Sequence, residues 1–184
     1  MQALSFPESA LPPCFDLPGR IASGLRLRLA EASDLPFLRD LYASSRADEL
    51  ACMPWPDEAK RAFCDSQFEL QHRHYLLHAT PGAFTIVMRD EQPVGRLYLR
   101  WTPDELHIVD ILLLPGLRGQ GIGGTLLQWL QSLLPQAGMA ALGLHVEQRN
   151  TAAYRLYQRM GFRALELNGM HLRMAWSPPE ASLS

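Results

Sequence analysis

Arg118-Gly119-Gln120-Gly121-Ile122-Gly123-Gly124 stands between an apolar stretch ending Leu112-Leu113-Leu114-Pro115 and a second one beginning Leu126-Leu127. Glycines in such a loop let successive backbone N–H groups converge without Cβ obstruction, and a helix starting there adds partial positive charge. The chemistry is anion binding, with phosphate the natural ligand and Arg118 a formal charge beside the amides. Taken alone, the run reads first as a turn that merely joins a strand to a helix, and its context must argue for more. No Lys-Ser/Thr follows, as a P-loop would need, and the loop follows the fourth strand rather than opening a βαβ unit. Neither ATP nor NAD is favoured.

A second constellation lies downstream, where Leu144-His145-Val146-Glu147 leads to Asn150, Ala153, Leu156-Tyr157 and Gly161-Phe162. Asn150 suits a helix N-cap, Ala153 and Leu156 share one helix face, and Gly161 suits a left-handed C-terminal turn. Tyr157 differs in kind, because its phenol is neutral at pH 7 and can donate a proton, though a buried tyrosine often only packs.

Together these residues resemble the signature of the GNAT (Gcn5-related N-acetyltransferase) superfamily. R-x-x-G-x-G reads at Arg118, Gly121 and Gly123, and N-x-x-A-x-x-L-Y-x-x-x-G-F reads from Asn150 to Phe162. The resemblance implies acetyl-CoA as co-substrate, its pyrophosphate on the amides of Gly119, Gln120, Gly121, Ile122, Gly123 and Gly124 beside Arg118. It implies a pantetheine arm paired with backbone near Leu113, Asn150 at the cofactor, and Tyr157 as the acid that protonates the departing thiolate.

Acetylation of an amine also needs a base, since a lysine-like amine with a pKa of about 10.4 is mostly ammonium at pH 7. Period-two alternation puts Leu142, Leu144 and Val146 on one strand face and Ala141, Gly143, His145 and Glu147 on the other, so His145 and Glu147 are candidates. Asp110 is a third, being a carboxylate in line with Ile108, Leu112 and Leu114. Each has a plainer reading: Glu147 as a solvated strand end, His145 as a hydrogen-bonded histidine, Asp110 as the partner of an arginine or helix terminus. The histidines at 72, 74, 78, 107 and 171 form no spaced set with acids or cysteines, and no metal is expected.

These groups must be positioned by a scaffold that the pattern also outlines. Residues 1–24 carry four prolines and no sustained periodicity and read as an irregular leader. A strand at Leu25–Leu29 leads to a helix starting at Ser33-Asp34 before Leu35-Pro36, then to a second helix from about Pro56 towards Leu76. Strands at Ala83–Arg89, Val94–Trp101 and Leu106–Leu114 follow on short links, as antiparallel hairpins. The glycine loop, a helix to Leu134, a strand Ala141–Glu147, a helix Asn150–Met160 and a hairpin about Asn168-Gly169 complete the domain at residue 176, leaving a short polar tail. The order β-αα-βββ-α-β-α-ββ gives an α/β (α+β) domain. Its GNAT-like form is a mixed, mostly antiparallel sheet of six to seven strands, splayed between the fourth and fifth and flanked by about four helices.

Seventeen Lys and Arg against nineteen Asp and Glu give a net charge of −2, and no basic run tracks a phosphate backbone, which argues against nucleic acid. No stretch of about eighteen apolar residues and no basic n-region with an apolar core occurs, so the expectation is a cytoplasmic protein without membrane partners. Three cysteines, none in a C-x-x-C pair, read as free thiols. The expected function is N-acetyl transfer to an acceptor left open among protein amines, amino acids, polyamines and aminoglycosides, with homodimerisation open as well. The alternatives are a silent acyl-CoA-binding module and a protein-interaction domain using Trp55, Trp101 and the leader.

Overall fold

The computed structural model describes residues 6, 7, 15, 19–22 and 24–179, so Cys14, most of the leader and the end of the tail lie outside it. Alternating leucines of β2 (Leu25–Leu29) pair antiparallel with β3 (Gly82–Arg89), and β4 (Gln92–Trp101) and β5 (Glu105–Leu113) continue the meander. Within the segment read as leader, β1 (Gly19–Arg20) adds a two-residue edge strand against β2. Asp90 and Glu91 turn β3 into β4 with φ of 48° and 65°, a left-handed pair suited to a two-residue hairpin.

Between β2 and β3 run α1 (Leu35–Ala51) and α2 (Asp57–His78), the first with proline in its first turn. Both cover one sheet face, where Leu38, Leu41 and Phe68 meet Phe84, Ile86, Met88 and Tyr98. The opposite face carries α3 (Ile122–Ala137) and α4 (Thr151–Arg159). Leu126, Leu127, Leu130 and Leu134 of α3 bury their side chains against Leu97, Leu99, Leu106, Leu142 and Leu144. Helix α3 runs past the expected Leu134 because Pro135 forfeits one hydrogen bond in the last turn and Gly138, at φ 66°, closes the end.

β6 (Ala141–Glu147), β7 (Arg163–Asn168) and β8 (His171–Trp176) complete an eight-stranded sheet of order β1-β2-β3-β4-β5-β6-β8-β7 among the described residues. Seven of these strands follow the expected sequence, and every pairing is antiparallel except β5 with β6. That parallel ladder joins Glu105–Ile108 to Ala141–Leu144 and stops, and the two strands part beyond it. The expected splay between the fourth and fifth strands of the seven is this divergence.

The parting has a local cause. Leu99 pairs with Ile108 but Tyr98 pairs with Asp110, which leaves Val109 as an extra residue, a bulge that bends β5 away from β6. It also corrects a straight count of alternation. Ile108 packs towards α3 and α4, whereas Val109, Leu112 and Leu114 pack towards α1 and α2, so Asp110 is not in line with Ile108.

Candidate active site

Where β5 and β6 separate, a cleft of about 690 Å³ opens, lined by Val109, Asp110 and Ile111 on one side and His145 to Glu147 on the other. Gln71, His74 and Tyr75 of α2 border it, with Asn150 and Tyr157 from the α4 side and Asn168 and His171 from the last hairpin. Asp110 thus meets His145, Glu147, Asn150 and Tyr157, which follow it by thirty-five residues or more, at one cavity. The β5 edge facing the cleft has no strand partner past Ile108 among the described residues, so its backbone groups are open to a ligand.

Tyr157 is 6% exposed and packs on Phe162 at 5.7 Å between ring centroids. Burial, reinforced by the charge of Asp110, pushes its phenol up to about 12. The ring is held by a well-capped helix: the Asn150 side-chain oxygen accepts the Ala153 N–H at 3.1 Å, and Gly161 at φ 84° turns the chain so that Phe162 N–H reaches the Tyr157 carbonyl.

Asp110 accepts a hydrogen bond from Arg96 Nε at 2.5 Å. Arg96 is 1% exposed, stacked near Tyr98, and also donates to Gln71 at 2.7 Å. Burial works against its charge, but Asp110 and the two tyrosines outweigh it. Among the plainer readings of Asp110, partnership with an arginine is what the structure displays. Glu147 is a half-exposed strand end, 3.9 Å from His171 Nε2. His145 lies on the face opposite Leu142, Leu144 and Val146, as alternation requires, and its Nδ1 is 3.2 Å from His107 Nε2.

The glycine loop follows β5 through a short 3₁₀ turn, Pro115–Leu117, and is not part of the cleft lining. Gly119 and Gly121 are left-handed at φ 74° and 83°, and α3 begins at Ile122 with no side-chain cap on its first amides. Arg118 Nε donates to the Leu113 carbonyl at 3.2 Å, bringing two expected cofactor residues together. A Cβ on Gly123 would sit 3.1 Å from Leu156, so the two motifs touch where α3 meets α4. Gly124 is only partly buried near Met160.

Several residues at the site were not singled out from sequence. Arg89 reaches Gln120 of the loop at 3.2 Å, an arrangement made by the sheet across thirty-one residues. Glu105 and His107 alternate with buried Leu106 and Ile108, a pattern visible in the sequence, but their partner Arg173 lies sixty-eight residues beyond Glu105. Among the described residues no group of three or more His, Cys, Asp or Glu could hold a metal ion, and no helix is long and apolar enough to cross a membrane.

A mixed sheet parted beside a bulge, with an uncapped glycine loop at the end of one parted strand, is the framework of an acyl-CoA-type transferase fold. The profile of the acetyltransferase (GNAT) family matches residues 36–162, and the chain belongs to that family. It is 33% identical over 76 residues to the thialysine N-epsilon-acetyltransferase of Sus scrofa, a match spanning 41% of this chain and 45% of that protein. In fold it is similar to the PaiA N-acetyltransferase of Thermoplasma acidophilum, solved in complex with coenzyme A. That likeness has a TM-score of 0.66 and 17% identity, over 85% of this chain and all of the other. An acetyltransferase of Salmonella typhimurium that modifies the N-terminal serine of ribosomal protein L7/L12 is similar too, at TM-score 0.60 and 20% identity over 87% and 98% of the two chains.

Proposed function

We propose that the protein moves an acetyl group from acetyl-CoA to a primary amine by direct transfer in the β5–β6 cleft. The observation that carries this is the convergence of a buried phenol, two candidate proton acceptors (His145 and Glu147) and an unpartnered strand edge at one opening in a chain of this family. The loop amides from Gly119 to Gly124, with Arg118 and with Arg89 tied in through Gln120, hold the pyrophosphate. The free edge of β5, from Val109 to Leu113, pairs with the pantetheine arm, and Asn150 borders it.

On this reading the acceptor amine enters from the side of α2, past Gln71, His74 and Tyr75, and loses its proton to His145, with Glu147 at the rim as the alternative base. Asp110, bound to Arg96, is disfavoured because its oxygen already accepts from a buried cation. Tyr157 faces the leaving sulfur. A thiol with an ordinary pKa of about 8.5 gives a thiolate that is a weaker base than a phenolate near 12, so the phenol serves by donating a hydrogen bond to sulfur as charge develops and keeps its proton while the thiolate departs.

The testing experiment pairs calorimetric binding of acetyl-CoA with a thiol-release assay over lysine, thialysine, spermidine, a serine-led peptide and an aminoglycoside. Binding with release in at least one case supports transfer. Binding without release from any would leave a silent acyl-CoA module, and absence of binding would leave an interaction domain.

A further inference from the structure

On the part of the α1–α2 face of the sheet that those helices do not cover, polar groups from three strands form an unbroken chain. Arg173 Nη2 of β8 donates to Glu105 Oε2 of β5 at 2.7 Å. Glu105 Oε1 lies 3.0 Å from His107 Nδ1, and His107 Nε2 lies 3.2 Å from His145 Nδ1 of β6. Arg100 of β4 and Glu166 of β7 complete a second hollow of about 430 Å³ on this face, and His145 borders both it and the cleft.

We propose that Glu105 and His107 are positioning residues that hold His145 in its Nδ1–H tautomer, keeping Nε2 an unprotonated acceptor for the amine proton. This rests on the reading of His145 as the base. The argument is one of donors and acceptors. An ionised carboxylate only accepts, so His107 must donate through Nδ1. A neutral His107 then has a lone pair at Nε2, so His145 must donate through Nδ1, and its own Nε2 is left bare.

The required charge states follow from the surroundings. Burial opposes ionisation of Glu105, but the hydrogen bond from His107 and the charge of Arg173 outweigh it and hold the carboxyl below its usual range. Burial holds His107 below the ordinary imidazole value despite Glu105. Burial, with the charges of Arg173 and His171, does the same for His145. Arg100 acts against protonation of both rings, while Glu105, Asp110, Glu147 and Glu166 are the anions lining the two hollows.

The packing is also selective. Gly143 pairs with His107 in the parallel ladder, and a Cβ there would overlap Glu105 Oε1. Only a glycine at 143 lets the carboxylate lie across β6 to meet Arg173 and His107 at once.

Ring-nitrogen NMR of the full chain, free and with CoA, tests the tautomers well above the ordinary imidazole pKa of about 6.5. Wild-type His145 and His107 should both carry their proton on Nδ1, and His107→Phe should move His145 towards Nε2–H. With whichever assay amine turns over, His107→Phe should lower kcat on the order of tenfold or more at unchanged KM for acetyl-CoA. Glu105→Gln, which keeps an acceptor oxygen, should retain tautomer and most of the rate where Glu105→Leu loses both. A wild-type His145 protonated on Nε2, or a tautomer indifferent to both His107→Phe and Glu105→Leu, overturns the proposal. Acetyl transfer without this tautomer leaves the activity standing and the lock refuted. The tautomer without any thiol release does the reverse.

Discussion

Tyr157 and Asp110 share one cleft yet answer to different physics. Tyr157 is a neutral phenol enclosed by α4 and Phe162, so Tyr157→Phe preserves packing and removes only the hydrogen-bond donor. kcat should fall on the order of 10²-fold with little change in KM for acetyl-CoA, read by thiol release. Asp110 balances a guanidinium that is 1% exposed, and removing one partner of a buried pair typically costs 3–5 kcal/mol. Because the carboxylate borders a solvated cleft, Asp110→Asn should cost about 3 kcal/mol, a drop in Tm of roughly 6–12 °C by calorimetry. A variant with native stability and lost turnover would instead mark Asp110 as the base.

Among the elements, the glycine loop is where backbone conformation and ligand binding coincide. At Gly121 a Cβ meets nothing within 4 Å, so Gly121→Ala is opposed only by its φ of 83°. The variant should lose on the order of 1–2 kcal/mol of stability while acetyl-CoA affinity, by calorimetry, falls about tenfold or more. Loops, caps and helices of this kind are legible in sequence because their determinants are local. Pro36 in the first turn of α1, Asn150 as a cap and Gly161 at a helix end each act within a few residues. The Val109 bulge is not legible, since its signal is a shift in pairing against β4, and counting straight through it put Ile108 on the line of Asp110, Leu112 and Leu114, although Ile108 packs on the other face. The insertion of β8 between β6 and β7, the Arg89–Gln120 contact and the Glu105–Arg173 bridge are likewise set by long-range register.

For the whole molecule, the buried face beneath α2 couples stability to pH. His72 is 1% exposed, stacked on Phe68 and set edge-on to Phe6, with neither ring nitrogen hydrogen-bonded among the described residues. Burial, with the charges of Arg96 and Arg39, lowers its pKa to about 4. A depressed pKa means the unfolded chain takes up the proton first. The contribution is therefore full above about 6.5 and lost as pH falls through about 4, amounting to about 3 kcal/mol. Urea unfolding at neutral and acidic pH should show this loss in the wild type and not in His72→Phe.

The short parallel ladder between β5 and β6 has a mechanical consequence. Among the described residues, the strand pairing between the meander half of the sheet and the half formed by β6, β7 and β8 is confined to Glu105–Ile108 and Ala141–Leu144, so the sheet is two panels joined by one short ladder. An acyl-CoA arm lying along the open edge would act as a splint across that junction. Amide hydrogen exchange should slow at Val109–Leu113 and His145–Glu147 when acetyl-CoA is added, while strands β3 and β4 stay as protected as before.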